Sequence, residues 1–266
     1  MPYLHYSLKR NPIANVDNPH SSLNTLNTRR VIFASYHPTG VASGYHKIYN
    51  LIMVTPKRYF LNNCVYHIYN RGTEKRDIFL DKFDYHRFLE TLVYYQDKNN
   101  LCRFSYSNHE LNLAASHNQF DILNFCLMPN HFHLLLSQAN DDGVSLGISK
   151  LLNSYTRYFN TKYQRVGSLF QGVFQSVPVL SDEQLIHTAR YIFLNPLVDH
   201  LVDKLPSYKW SSYNEYFSKV ISNPPVCNQE MLLRYFDGHD SFQRFVTDFA
   251  DFARSKKDMK RLFLDS

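Results

Sequence analysis

Two short apolar runs on either side of Pro129-Asn130 constrain this fold more than any other feature of the sequence. Residues 121–128 (DILNFCLM) and 131–137 (HFHLLLS) both read as strands, and the Pro-Asn pair stops the first. The two form a hairpin or near-hairpin. Side chains alternate faces along a strand, so His131 and His133 point one way, while Phe132, Leu134 and Leu136 point the other way, towards a core. Two imidazoles about 7 Å apart on one strand face can bind one divalent ion together. A bare His-x-His is more often two half-exposed strand histidines with no ligand, so the pattern alone leaves both readings open.

The flanking segments supply helices. Residues 64–69 (CVYHIY) are a further β-rich run ending at Asn70-Arg71-Gly72, a loop signal. Residues 81–98 place Tyr85, Phe88, Leu89 and Leu92 at helical spacing, with Asp81 or Asp84 as cap. Residues 100–120 read as one strand and a polar loop. Ser145 starts a helix with Ile148, Leu151, Leu152, Tyr155 and Phe159 on one side, and Gly167 ends that element. Residues 169–179 are strand-like or irregular. Ser181 and Gln184 fit a capping box for a helix that Pro196 ends, because residues before proline avoid helical angles. A short helical part follows Trp210-Ser211-Ser212-Tyr213. Strands and helices mix without a strict βαβ rhythm, which predicts an α+β fold: a central, mainly antiparallel sheet flanked by helices.

Composition excludes several classes. With 44% hydrophobic and 15% aromatic residues the chain has the bulk for a real core and is not mainly disordered. No run of about 18 apolar residues exists, so no membrane span is expected, and the N-terminus lacks a secretory pattern. Cys64, Cys102, Cys126 and Cys227 are isolated, without a C-x-x-C pair, which argues against a zinc ribbon and for reduced thiols in a cytoplasmic protein. The net charge of +6 is uneven. Residues 1–52 hold five Lys/Arg and one acid, or +4; residues 53–195 hold fourteen and twelve, or +2; residues 196–266 hold ten of each. Three parts are expected: a poorly ordered basic extension over 1–52, or a stretch ahead of a true start at Met53; a domain over 53–205; and a helical extension over 206–266. Residues 149–175 contain Lys150, Arg157, Lys162 and Arg165 and no acid, a candidate nucleic-acid patch.

The helix after Ser181 carries a second set of chemical groups. Tyr191 and Asn195 are i and i+4 on one stripe, with His187 a turn earlier. Asn offers a carbonyl oxygen suited to Mg²⁺ or Mn²⁺, and Tyr a phenol that can act as a covalent nucleophile. Taken alone, the same residues also read as a packing aromatic, a helix C-terminal Asn and a surface or packing histidine.

In combination they are more specific. MPNHFHLLL at 128–136 and RYIFLNP at 190–196, with YHIYNRG at 66–72, YTRYFN at 155–160, GSLFQGVF at 167–174 and WSSY at 210–213, resemble the single-tyrosine HUH transposases, and among them the REP-associated tyrosine transposases. The resemblance runs from about Met53 to about Tyr216. It implies a ferredoxin-like HUH fold, with His131 and His133 as the histidine pair, Phe132 between them, Tyr191 as nucleophile and Asn195 as third ligand to Mg²⁺ or Mn²⁺. It implies nicking and joining of single-stranded DNA through a 5′-phosphotyrosine, on hairpins formed by short repeats. Neutral histidine ligands imply weaker metal binding below roughly pH 6.5.

On that resemblance, Lys150, Arg157, Lys162 and Arg165, interleaved with Tyr155, Tyr158 and Tyr163, are expected to contact phosphates and stack unpaired bases, with Arg71 as a further contact. The bland reading is a solvated basic helix face with its aromatics in the core. Two departures stand out: Val173 and the run Leu197-Val198-Asp199-His200 fall where relatives often carry arginines. They leave open a relative that binds DNA hairpins without transposition. The protein is expected to be a monomer or homodimer.

Overall fold

The computed structural model describes residues 60–100, 102–107, 117–218 and 226–255. The expected N-terminal extension and most of the expected polar loop near 110 lie outside them. Four strands, β1 (Val65–Arg71), β2 (Phe120–Met128), β3 (His131–Gln138) and β4 (Gln175–Val179), form one antiparallel sheet in the order β2-β3-β1-β4. With helices α1 (Lys82–Tyr94) and α2 (Gly143–Lys162) the chain runs β-α-β-β-α-β, the ferredoxin-like arrangement. A third long helix, α3 (Asp182–Val198), follows β4. The fold is α+β.

The β2–β3 hairpin turns at Pro129-Asn130, with Met128 opposite His131. The turn is pinned from outside: the Pro129 carbonyl accepts from the Ile78 amide at 2.7 Å, and the Asn130 carbonyl from the Gly72 amide at 2.8 Å. A Cβ at Gly72 would collide with the Arg76 carbonyl oxygen, so glycine is required for this approach. Alternation along β3 then separates two faces. On one, Phe132 packs between Phe88 of α1 and Phe170, and Tyr155 of α2 joins Phe88. On the other lie His131, His133 and Leu135, covered by α3. Every residue of β3 is therefore buried, histidines included, rather than half exposed on one side.

Three helix ends differ from the sequence expectation. Helix α2 begins at Gly143, two residues before Ser145, after Asp142 in the left-handed region (φ 57°). Side-chain capping comes from afar: Gln138 Oε1 accepts the Val144 amide at 3.2 Å. Gly143 and Gly147 let the helix lie close to Gln119 and Phe120, where a Cβ would clash. Helix α2 ends at Lys162, not near Gly167. Gln164 takes the left-handed position (φ 50°), and the Arg165 amide returns to the Asn160 carbonyl at 2.8 Å, a Schellman closure without glycine. Helix α3 runs through Pro196 to Val198. A proline in the last turn removes one intrahelical hydrogen bond only, and the Asp199 amide still closes on the Asn195 carbonyl at 3.0 Å. In the 100–120 stretch, the described residues form a short 3-10 turn at Phe104–Tyr106, and β2 begins at Phe120.

Asp81 and Asp84 both cap α1: Asp81 is the N-cap and Asp84 completes a capping box. Asp84 is fully buried, and its carboxylate accepts from Lys162 Nζ (2.7 Å), Tyr158 (3.0 Å) and Tyr163 (2.7 Å). Lys162 also reaches Asp81 at 2.7 Å. Desolvation works against the Lys162 charge, but its hydrogen bonds to Asp81 and Asp84 outweigh it and raise the pKa. Lys162 thus ties the end of α2 to the start of α1. Replacing it by methionine leaves a buried carboxylate without its counter-charge. Because Lys162 keeps 27% exposure, the expected loss is about 2–3 kcal/mol, at or below the low end for broken buried pairs. Urea denaturation checks it: unchanged stability would show that Lys162 does not hold the frame.

The segment after α3 closes the free edge of β2. The Leu127 amide donates to the Trp210 carbonyl at 2.8 Å and the Ser212 amide to the Phe125 carbonyl at 3.0 Å. Trp210 stacks on Tyr85 (4.3 Å between centroids), while Tyr208 and Tyr216 donate to the β2 carbonyls of Leu127 and Leu123, both at 2.6 Å. Among the described residues four short helices follow, α4 (Tyr213–Phe217), α5 (Glu230–Leu233), α6 (His239–Thr247) and α7 (Ala250–Ser255), and α6 and α7 pack on α3. Among the described residues no helix is long and apolar enough to cross a membrane.

Candidate active site

The face of the sheet beneath α3 gathers most of the chemistry. Antiparallel register places Arg71 opposite His131, and Tyr69 opposite His133. With His67 two residues further, β1 contributes three polar or aromatic side chains to the histidine face. The His133 ring is the centre. Its centroid lies 5.1 Å from His131, 5.1 Å from His67, 6.0 Å from Tyr69 and 5.5 Å from Tyr191. The two histidine rings of β3 are thus closer than the 7 Å of strand spacing, and their planes stand 89° apart.

Helix α3 brings Tyr191 to this face, with Asn195 one turn further along the helix. Its N-terminus is fixed by Ser181, which accepts the Gln184 amide at 3.1 Å, and by Gln184 Oε1, which accepts the Leu180 amide at 2.8 Å. Asn124 of β2 donates to the Ala189 carbonyl at 2.9 Å, which holds the helix at mid-length. Asn195 is 1% exposed. Its Nδ2 donates to the Tyr191 carbonyl at 3.1 Å, leaving Oδ1 as the acceptor. Tyr191 meets His133 edge-on at 82° and is partly buried.

The tautomer of His131 is set locally. Asn130 Nδ2 donates to the Lys75 carbonyl at 3.1 Å, so Asn130 Oδ1 faces His131 Nδ1 at 2.6 Å. An amide oxygen only accepts, so His131 Nδ1 carries the proton and Nε2 keeps its lone pair. His67 Nε2 lies 2.9 Å from His133 Nδ1. Burial lowers the His67 pKa from 6.5 to about 4, so it is neutral at neutral pH. Two imidazole nitrogens and one amide oxygen suit a cation such as Mg²⁺ or Mn²⁺. Among the described residues no group of three His, Cys, Asp or Glu is placed to hold a metal.

The structure brings His131, His133, Arg71 and Tyr191 to one face, with Asn195 one helical turn beyond Tyr191, and sends the other candidates elsewhere. His187 turns to the C-terminal helices, 5.6 Å from the Phe245 ring, with Arg190 Nη2 2.7 Å from its Nδ1. Its pKa is lowered, first by burial and then by Arg190. Lys150, Arg157 and Lys162 lie in the α1–α2 layer across the sheet. With Arg87 and Arg103 they line an open groove of about 680 Å³ whose lining holds no acid. Arg87 lies over the rings of Phe104 (4.2 Å) and Tyr158 (5.3 Å). The tyrosines do not line it alike: Tyr158 borders the groove, whereas Tyr155 is fully buried in the core. Arg165 lies 5.7 Å from the Phe159 ring. Sequence reasoning missed Asn130, His67 and Tyr69. Period-two alternation in YHIYNR already put His67, Tyr69 and Arg71 on one face, but the pairing of β1 with β3 was not legible.

The sequence model of the family described as "Transposase IS200 like" matches residues 60–194, about half of the chain. The chain belongs to the IS200-like transposase family. It is 27% identical over 111 residues to a Haemophilus influenzae protein assigned as a REP-associated tyrosine transposase; the match covers 38% of this chain and 63% of that protein. Among solved structures it is similar to a REP-associated tyrosine transposase bound to a REP hairpin, with a TM-score of 0.46 and 14% identity, over 60% of this chain and 82% of the other. A Deinococcus radiodurans R1 structure assigned as a transposase gives a TM-score of 0.31 and 12% identity, over 51% and 92%.

Proposed function

We propose that this transposase nicks and rejoins single-stranded DNA, with Tyr191 as the nucleophile. The observation that carries the reading is the edge-on approach of Tyr191 to His133, 5.5 Å between centroids, from a helix that also brings buried Asn195 to the sheet. The Tyr191 oxygen loses its proton and attacks the scissile phosphorus. The bond from phosphorus to the 3′ oxygen breaks, and that oxygen takes up a proton as a free 3′-OH. The product is a 5′-phosphotyrosine, which another 3′-OH can attack in reverse without an added energy source. A divalent cation held by His131, His133 and Asn195 would neutralise charge on a non-bridging phosphate oxygen. Arg71, on the same face, would hold the phosphate of the approaching strand.

The test is a denaturing gel for covalent protein–DNA adducts. Single-stranded hairpins from repeats flanking the gene serve as substrates, with Mg²⁺ or Mn²⁺ and an EDTA control. A metal-dependent adduct is expected; cleaved DNA with a free 5′-phosphate and no adduct would assign the attack to water instead. The second reading, hairpin binding without transposition, takes its support from Val173, which is 61% exposed at a position where the sequence resemblance leads one to expect arginine. Binding without any adduct would select it.

The groove between α1 and α2 is assigned to DNA phosphates. Replacing Lys150 and Arg157 together by glutamine is expected to weaken hairpin binding and reduce the salt slope by about 1–2, one unit per lost phosphate contact. Fluorescence anisotropy over a salt series measures it; an unchanged slope would leave these cations as solvated surface.

A further inference from the structure

We infer that His67 is a positioning residue whose Nε2 accepts the Nδ1–H of His133, so that His133 presents the lone pair of its Nε2. The inference rests on the metal site proposed above and goes beyond it, because it concerns how β1 prepares a side chain of β3 before any ion or DNA arrives. Three observations carry it. First, His67 Nε2 and His133 Nδ1 are 2.9 Å apart, and their rings lie 24° from coplanar at 5.1 Å between centroids. That is the spacing of two imidazoles meeting nitrogen to nitrogen, not face to face. One nitrogen must carry the proton and the other must not. Second, both rings are buried, 5% and 1% exposed, so water is poorly placed to substitute for either partner. Third, His131 is treated in the same way: Asn130 Oδ1 sits 2.6 Å from its Nδ1 and fixes that nitrogen as the donor. Each histidine of the pair therefore has its Nδ1 occupied by a neighbour from the frame. With His67 as acceptor, both rings share one tautomer, with the proton on Nδ1 and the lone pair on Nε2, as outer partners of ligand histidines commonly arrange. In the opposite tautomer, His133 Nε2 would carry hydrogen and could not ligate.

The decisive measurement uses the full chain labelled with ¹⁵N-histidine, without metal, at pH 7.5. Long-range ¹H–¹⁵N correlation reads the tautomer of His133, assigned by its loss in His133→Ala. A protonated Nδ1 is expected, and a protonated Nε2 overturns the inference. Mn²⁺ titration of two variants supplies a second readout. His67→Leu removes the acceptor and is expected to weaken Mn²⁺ binding about 10–100-fold. His67→Gln, whose amide oxygen can accept the same N–H, is expected to bind within about fivefold of the parent. Equal affinity in all three proteins, or a folded Gln variant as weak as the Leu variant, overturns the inference. If the parent itself binds no Mn²⁺, the proposed metal site fails, while the spectrum of the parent still decides the role of His67. If His67→Leu does not fold, the His133 tautomer in the parent and in His67→Gln gives the answer.

Discussion

Tyr191→Phe is expected to abolish the covalent adduct with hairpin DNA, a loss of at least about 10³-fold. The change removes one oxygen and leaves the ring that packs on His133. Hairpin affinity and Mn²⁺ affinity should stay within about twofold, and stability within about 1 kcal/mol. The control is set by the geometry, because two tyrosines flank His133. Tyr69 lies 6.0 Å away and Tyr191 5.5 Å. Tyr69 stands on the middle of β1, bonded on both sides by β3 and β4, and its ring lies only 33° from the plane of His133. Its backbone is fixed in the sheet by both neighbouring strands. Tyr191 stands on a helix laid over the sheet and approaches edge-on at 82°, with Asn195 one turn on. Tyr69→Phe should therefore keep most of the adduct. An adduct that survives Tyr191→Phe and disappears in Tyr69→Phe would transfer the nucleophile to the strand. One that survives both would remove tyrosine chemistry from this face.

The site was legible where one element carries the chemistry and illegible where two elements meet. His131 and His133 share a face by strand periodicity, and Tyr191 and Asn195 share a stripe by helical periodicity, so both pairs could be read locally. Nothing local says that β1 pairs with β3 in the register that sets Tyr69 opposite His133. His67 was therefore invisible as a partner. The basic run 149–175 looked uniform in sequence, yet the structure divides it. Lys162 is drawn into ion pairs with Asp81 and Asp84, residues some 80 positions earlier, while Lys150 and Arg157 remain in the open groove.

Helix ends failed for related reasons. Glycine and proline are good punctuation when the chain alone decides. Here Gln164 holds the left-handed position that Gly167 seemed to claim, and buried packing carries α3 through Pro196. The second case matters for the site. Had the helix stopped before Pro196, Asn195 would sit at a frayed end. Instead it is an interior helical residue, 1% exposed, with its amide nitrogen committed to Tyr191.

His131→Ala and His133→Ala should each remove metal-dependent adduct formation and weaken Mn²⁺ binding by about 10²-fold or more, since even outer partners of ligand histidines are worth 10–100-fold. Their effects on stability should differ, and the difference separates ligand from packing. His131 ends β3 beside the turn, where its ring meets Asn130 and His133. His133 lies one pair deeper, at 1% exposure, enclosed by the rings of His67, Tyr69, His131 and Tyr191. Removing it leaves a cavity and strips His67 Nε2 of its partner, which should cost about 2–4 kcal/mol. His131→Ala should cost about 1 kcal/mol, mainly the loss of one hydrogen bond. Urea denaturation and Mn²⁺ titration on the same preparations read both quantities. If metal affinity fell in proportion to stability, strongly for His133 and little for His131, the histidines would be packing residues that a loosened fold disturbs. A comparable loss of affinity in both variants, set against unequal losses of stability, is the signature of two ligands on one ion.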